Sequence, residues 1–319
     1  MTKNRIPEII NESIRNKWTN VFFVTSPIVS VMVKMIILKY KLKPENVLLV
    51  SFRNTDLTIF KNSKKIFITI NRFNSIFERL FFISLSGIKI LNLLYGFNNK
   101  NFIVFSTWAY RELNWCASSK KCSGHIYIEE GQATYMNYIP YSRGQLSIWK
   151  KLIFNFKNRI NPGDGSGYFY RDDAKAYIGI NKNAYPKINN DLKYILNNIY
   201  SLKNYYKPKL LGSTNIGLTC ASRRLKGNKI DDMFLKLIQI MPKNSLIKLH
   251  PSFSYDDLKI KESEEKIKNL SNESIGICSN DTILELEMLY EKKYIYGPQT
   301  SLKIYADLLG SEFRKIDLY

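Results

Sequence analysis

Residues 21–40 read VFFVTSPIVSVMVKMIILKY. The first five, Val21–Thr25, are a short apolar run of β-branched and aromatic residues, the pattern of a strand buried on both faces. Ser26 is a candidate N-cap, and Pro27 is pre-set for the first turn of a helix, so Pro27–Tyr40 reads as that helix. Read instead as one apolar span from Val21 to Leu38, the stretch is interrupted by Thr25, Ser26, Pro27 and Lys34. A buried strand followed by a covering helix fits it better than a membrane segment. A second apolar stretch, Leu80–Phe97, is close to the minimum spanning length. It carries Lys89, Gly87 and two serines and is flanked by Arg79, and it receives the same reading.

The pattern repeats outward from this point. Strands are expected at Val47–Val50, Lys65–Ile70, Phe102–Phe105, Ile126–Glu129 and Ala176–Ile180, the last being read as the final strand of the first half. Helix-length stretches lie between most of them. Such alternation implies a parallel sheet covered on both faces. It blurs between Tyr141 and Tyr168, where Ile148–Ile160 is basic and amphipathic, with Trp149, Leu152, Ile153 and Phe156 on one side. That segment is either a half-buried helix or one that lies on a membrane surface. Asn204–Gly212 has no clear period and is taken as the join. Strands are then expected at Asn215–Cys220, Leu246–Leu249, Lys293–Tyr296 and Lys315–Leu318, with helices at Asp231–Met241, Thr282–Tyr290 and Ser301–Leu309. The expected division is residues 1–205 and 206–319, two doubly wound halves with a cleft at the carboxyl ends of both sheets.

Composition narrows the function classes. The chain has 319 residues, 45% of them hydrophobic, which suits two packed cores and excludes global disorder. Its four cysteines, Cys116, Cys122, Cys220 and Cys278, make no metal-binding spacing and read as reduced thiols. Two histidines, His125 and His250, are too few for a histidine-based metal cluster. The net charge of +21 favours polyanionic partners: nucleic acid, an anionic membrane surface, or acidic glycans and nucleotide sugars. No helix-turn-helix, zinc module or RRM signature accompanies the charge, so it implies only non-specific nucleic-acid affinity. The absence of a signal peptide predicts a cytoplasmic protein, with peripheral attachment to the inner face of the cytoplasmic membrane as an option.

Four short motifs could carry chemistry. Tyr127-Ile128-Glu129-Glu130-Gly131 ends an apolar strand in two carboxylates and a glycine. Strand ends face ligands in α/β domains, and adjacent acids repel, which can raise one pKa toward general-base work. Lys248-Leu249-His250-Pro251 likewise places a lysine and a histidine at a strand end, on one side of the strand, where they can meet a phosphate. Gly297-Pro298-Gln299-Thr300-Ser301-Leu302 puts two hydroxyls at a helix start, a phosphate site or plain N-capping. Glu285 can accept ribose hydroxyls or simply face solvent.

In that order the motifs resemble those of the bacterial sialyltransferases and polysialyltransferases: a D/E-D/E-G motif (Glu129-Glu130-Gly131), an H-P motif (His250-Pro251) and a later hydroxyl pair (Thr300-Ser301). Lys248 matches a lysine that precedes the histidine in some relatives. The motifs span about 170 residues of the chain. Thr300 departs from the commoner Ser-Ser pair but keeps a hydroxyl donor. The resemblance implies a GT-B fold of two Rossmann-like domains and an inverting, metal-independent transfer from a CMP-activated sugar. It implies Glu129 as the base, supported by Glu130 and Gly131. His250 would act on the departing CMP phosphate, and Thr300 and Ser301 would bind that phosphate. Lys248, Pro251 and Glu285 would complete the nucleotide site. No cofactor is expected beyond the donor CMP-sialic acid, and the acceptor would be a capsule or lipooligosaccharide glycan. Transfer of one residue fits the short chain better than polymerisation, and a homodimer is an option. Two alternatives remain at this stage: a transferase for another CMP-linked acidic sugar (Kdo, legionaminic or pseudaminic acid), and a basic nucleic-acid- or membrane-binding protein without catalysis.

Overall fold

The computed structural model describes residues 6–52, 57, 60, 62–68, 92, 101–108, 113, 116–117, 119–140, 170–196, 199–220, 229–250, 257–279 and 281–317. The chain divides into two compact units, Met1–Ile199 and Tyr200–Tyr319. The apolar stretches 80–97 and 148–160 and the site candidate Pro251 lie outside the described residues.

The N-terminal unit opens with helix α1 (Glu8–Arg15), followed by strand β1 (Thr19–Val24) and helix α2 (Pro27–Lys39). Strands β2 (Val47–Phe52), β3 (Lys64–Ile68), β4 (Phe102–Ser106), β5 (Cys122–Ile128), β6 (Ala176–Gly179) and β7 (Lys193–Ile195) complete one sheet in the order β3-β2-β1-β4-β5-β6-β7. Every pairing is parallel. All six residues of β1 and all five of β4 are buried. That burial explains their unbroken apolar reading, because a central parallel strand is covered on both faces. On one face Val21, Phe23, Val50, Val104 and Tyr127 join a single core. Phe22 stacks on Phe105 at 4.1 Å between ring centroids. Each such side chain contributes about 1.5–3 kcal/mol by leaving water. Helix α2 buries eight of its thirteen residues. Ser26 occupies its N-cap, but the hydroxyl makes no cap bond and its oxygen is buried.

The C-terminal unit contains β8 (Asn215–Leu218), α3 (Lys229–Ile240), β9 (Leu246–Lys248), α4 (Asp257–Leu270), β10 (Gly276–Ile277), α5 (Leu284–Glu287), β11 (Tyr294–Gly297), α6 (Leu302–Leu309) and β12 (Glu312–Lys315). Its five parallel strands run β10-β9-β8-β11-β12. Met233, Phe234 and Leu237 of α3 pack with Ile247, Ile267 and Tyr296 in its core.

Four expectations are corrected. Strand β7 follows Ala176–Gly179, so the latter is not the last strand of the first half. Strand β12 lies three residues before the expected 315–318. Pairing of Glu312 with Tyr294 sets its register, and an edge strand needs no continuous apolar run. The helix expected over 282–290 is confined to α5, with turns on either side. The segment taken as the join, 204–212, belongs to the C-terminal unit. There the carboxylate of Glu287, 1% exposed, accepts from the Tyr206 hydroxyl (2.5 Å) and from the backbone N–H groups of Lys209 (2.8 Å) and Leu210 (3.1 Å). The ammonium of Lys293, fully buried, donates to the carbonyls of Leu210 and Ser213 and to the Glu291 carboxylate. Three donors meet three acceptors, so a buried charge is fully paired.

Among the described residues no helix is long and apolar enough to cross a membrane.

Candidate active site

In each sheet the strand order reverses once, between β1 and β4 and between β8 and β11. Ligands in open α/β sheets bind at the carboxyl ends of the strands beside such a reversal.

In the N-terminal unit, Glu129 and Glu130 follow β5. Backbone pairing continues one residue past the strand, since Glu129 N–H donates to the Ile178 carbonyl at 2.9 Å. The Glu129 side chain is 0% exposed. One carboxylate oxygen accepts from the Tyr135 hydroxyl at 2.5 Å, the other from the Ile180 N–H at 2.7 Å. A Cβ on Gly179 would stand 3.0 Å from that second oxygen and 2.9 Å from the Ala184 Cβ, so glycine makes room for the carboxylate. Gly131 turns the chain in the left-handed region (φ 56°), and a 3-10 turn over Gln132–Tyr135 brings Tyr135 back onto Glu129. Burial and the adjacent Glu129 carboxylate hold the Tyr135 phenol far above its usual range, so it remains a donor.

Glu130 takes a different direction. Its N–H donates to the Thr134 hydroxyl at 3.0 Å, and its carboxylate accepts from the Thr25 hydroxyl at 2.7 Å. Thr25 follows β1, two strands away across β4. At about 4.8 Å per strand, Glu130 therefore reaches back roughly 10 Å over the point of reversal. Glu130 is half-buried, and Glu129 is sealed. The two adjacent acids accept from different donors, Glu129 from Tyr135 and Ile180 and Glu130 from Thr25.

In the C-terminal unit, His250 follows β9, and its N–H donates to the Thr219 hydroxyl at 2.7 Å. Thr219 follows β8, so His250 is fixed beside the reversal. The backbones of β8 and β11 converge there: a Cβ on Gly297 would meet the Leu218 Cβ at 2.7 Å and its carbonyl oxygen at 2.9 Å. Thr300 and Ser301 follow β11. The Thr300 hydroxyl accepts from the Leu302 N–H at 3.2 Å, so it caps α6 while keeping its own hydrogen to donate. Ser301 sits at the N-cap without a side-chain cap bond. His250 and the hydroxyl pair flank β8, two strand spacings or about 10 Å apart.

Lys248 is the last residue of β9. Its ammonium donates to the Ser279 carbonyl at 2.9 Å. Burial lowers its pKa, opposed by Cys278, Glu285 and Asp281. Burial raises the Glu285 carboxyl, opposed by Lys248, so these two candidates share one electrostatic neighbourhood. Lys209 pairs with Asp281 at its edge. Among the described residues no three His, Cys, Asp or Glu side chains are placed to hold a metal ion. The sequence reading missed Thr25, Tyr135, Thr219 and Glu287. Only the hydroxyl of Thr25, at a strand end before a helix, carried a readable signal.

Two doubly wound parallel sheets follow one another along the chain. The fold is GT-B. No protein-family model and no curated protein matches the sequence. Solved structures do match this GT-B chain. A putative UDP-N-acetylglucosamine 2-epimerase from Listeria monocytogenes shares 14% identity, covering 93% of this chain and 78% of that one, with a TM-score of 0.54. MnaA of S. aureus, solved with UDP, also shares 14%, covering 94% and 80%, at 0.54. An α/β-galactoside α-2,3-sialyltransferase from Photobacterium phosphoreum shares 13%, covering 93% and 89%, at 0.47. At these identities the likeness is one of fold.

Proposed function

We propose that this GT-B protein is an inverting glycosyltransferase that moves sialic acid from CMP-sialic acid to a hydroxyl of a cell-surface glycan, without a metal ion. The observation that carries the reading is the edge of the C-terminal sheet. There His250 is tethered to Thr219 on one side of β8, and Thr300 and Ser301 open α6 on the other. A helix start with hydroxyls and a nearby histidine suits a phosphate that gathers charge as it leaves. Lys248 and Glu285, which share one electrostatic neighbourhood, are assigned to the ribose and a second charge. In the transfer, the acceptor oxygen bonds to the anomeric carbon as that carbon's bond to the CMP phosphate breaks. The electron pair leaves with the phosphate, which His250 protonates or hydrogen-bonds, and a carboxylate of the Glu129–Glu130 pair takes the acceptor proton. The choice of CMP and of an acidic sugar rests on the three-motif resemblance.

The test is a donor panel: CMP-sialic acid, CMP-Kdo, CMP-legionaminic acid, CMP-pseudaminic acid and UDP-N-acetylglucosamine. Acceptor-dependent release of CMP from the first supports the proposal, and release from another CMP-sugar alone shifts the donor. The epimerases that share the fold supply the opposing reading. Epimerisation of the UDP-sugar with no CMP release would overturn the transferase.

A further inference from the structure

Resting on the transferase reading, we propose that Glu130, rather than Glu129, takes the acceptor proton, and that Glu129 is a positioning residue that holds the turn on which Glu130 is mounted.

A base that receives a substrate proton must offer a carboxylate oxygen within about 3 Å of it. Glu129 has none to offer. Its side chain is fully buried, and its two oxygens are occupied by the Tyr135 hydroxyl and the Ile180 N–H. Both are strong donors to a charged acceptor, the pattern that stabilises a buried carboxylate. What those bonds fix is geometry. One ties β5 to the residue after β6. The other closes the Gly131–Tyr135 loop on itself, and the same loop supplies Thr134, whose hydroxyl accepts from the Glu130 N–H and whose carbonyl accepts from the Tyr185 N–H. Glu130 is thereby held at its backbone by a braced turn and at one carboxylate oxygen by Thr25. The second oxygen of Glu130 has no hydrogen-bond partner among the contacts described, and the side chain is half-buried at the reversal between β1 and β4.

The step is balanced with Glu130 as the base. The acceptor O–H gives its proton to the Glu130 carboxylate as its oxygen bonds to the anomeric carbon. The C–O bond to phosphate breaks with its electron pair leaving on CMP, and Glu130 later returns the proton to water. The Thr25 hydroxyl donates to one oxygen of this base and so orients the carboxylate.

Two measurements test the assignment. The first needs no turnover: carbodiimide coupling of glycine ethyl ester to the folded protein, mapped by peptide mass spectrometry. Glu130 is expected to label at least about tenfold more than Glu129, as burial blocks the reagent. Equal or reversed labelling overturns the proposal. The second is the pH profile of kcat/KM on the donor that the wild type uses. Glu130→Gln is expected to lower kcat by about 100-fold or more and to abolish the acidic limb. Glu129→Gln is expected to lower the melting temperature and to reduce kcat by less than about tenfold, with the limb retained, because the base is intact. Tyr135→Phe, which keeps the buried carboxylate, is the second variant should Glu129→Gln not fold, and it has the same expected profile. A limb that vanishes in a folded Glu129→Gln or Tyr135→Phe and persists in Glu130→Gln returns the base role to Glu129. A wild type that releases CMP from no donor sinks the transferase reading and the base role with it, whereas a failed assignment with turnover intact sinks only the choice of Glu130.

Discussion

At the scale of single residues, His250 carries the sharpest expectation. If it assists the departing phosphate, His250→Ala lowers kcat by about 100-fold, the size of a lost general acid, with little change in melting temperature. Unchanged kcat would remove it from the chemistry. The thiols give a pH-dependent expectation of definite sign. Burial pushes Cys122 up to about 11 and Cys278 to about 12, the latter despite the attraction of Lys248. Both are protonated at pH 8, so iodoacetamide is expected to leave them unmodified in the folded protein and to modify both in urea. A folded pKa above the unfolded one also means that their contribution to stability is present below about pH 8.5 and is lost as the pH rises toward 11. Replacing both with alanine should therefore flatten the alkaline decline of the urea midpoint relative to the wild type. Which residues were chemical candidates was readable from the sequence, because acids, histidine and hydroxyls at strand ends are few. Which of two neighbouring glutamates is sealed was not. That depends on the left-handed turn at Gly131 returning Tyr135 to Glu129, a contact between residues whose side chains carry no periodic signal.

At the scale of elements, β1 with α2 was legible because burial on both faces writes an uninterrupted apolar run. The two- and three-residue strands β10 and β7 were not, since a run that short is no longer than chance spacing of apolar residues. The edge strand β12 was misplaced for the reason that it is half solvated. Two variants test what joins the elements. Gly297→Ala drives a methyl group into Leu218 side chain and backbone together, so rotamer change cannot relieve it. A loss of about 1–3 kcal/mol in urea unfolding is expected. Glu287→Gln replaces one oxygen by a donor where three N–H or O–H groups already converge. It is expected to cost about 2–3 kcal/mol, measured the same way. A loss below about 0.5 kcal/mol would mean that water satisfies those donors instead.

For the molecule as a whole, the net charge of +21 predicts partners by field rather than by fit. Binding to random DNA should weaken by about 10-fold or more between 50 and 200 mM salt. Affinity that survives the salt would point to a built nucleic-acid site and against a purely electrostatic one. Donor turnover, if the proposed mechanism holds, should be indifferent to EDTA, whereas a strong loss would require a metal. The stitching of residues 203–213 onto the end of α5 has a practical consequence for dissection of the chain. Lys203 and Tyr206 offer their carbonyls to the Tyr290 hydroxyl, and Leu202 is fully buried. A C-terminal fragment begun at residue 206 would start inside its own foundations, and one begun at 200 would carry them along. The shorter fragment should aggregate on expression where the longer one stays folded.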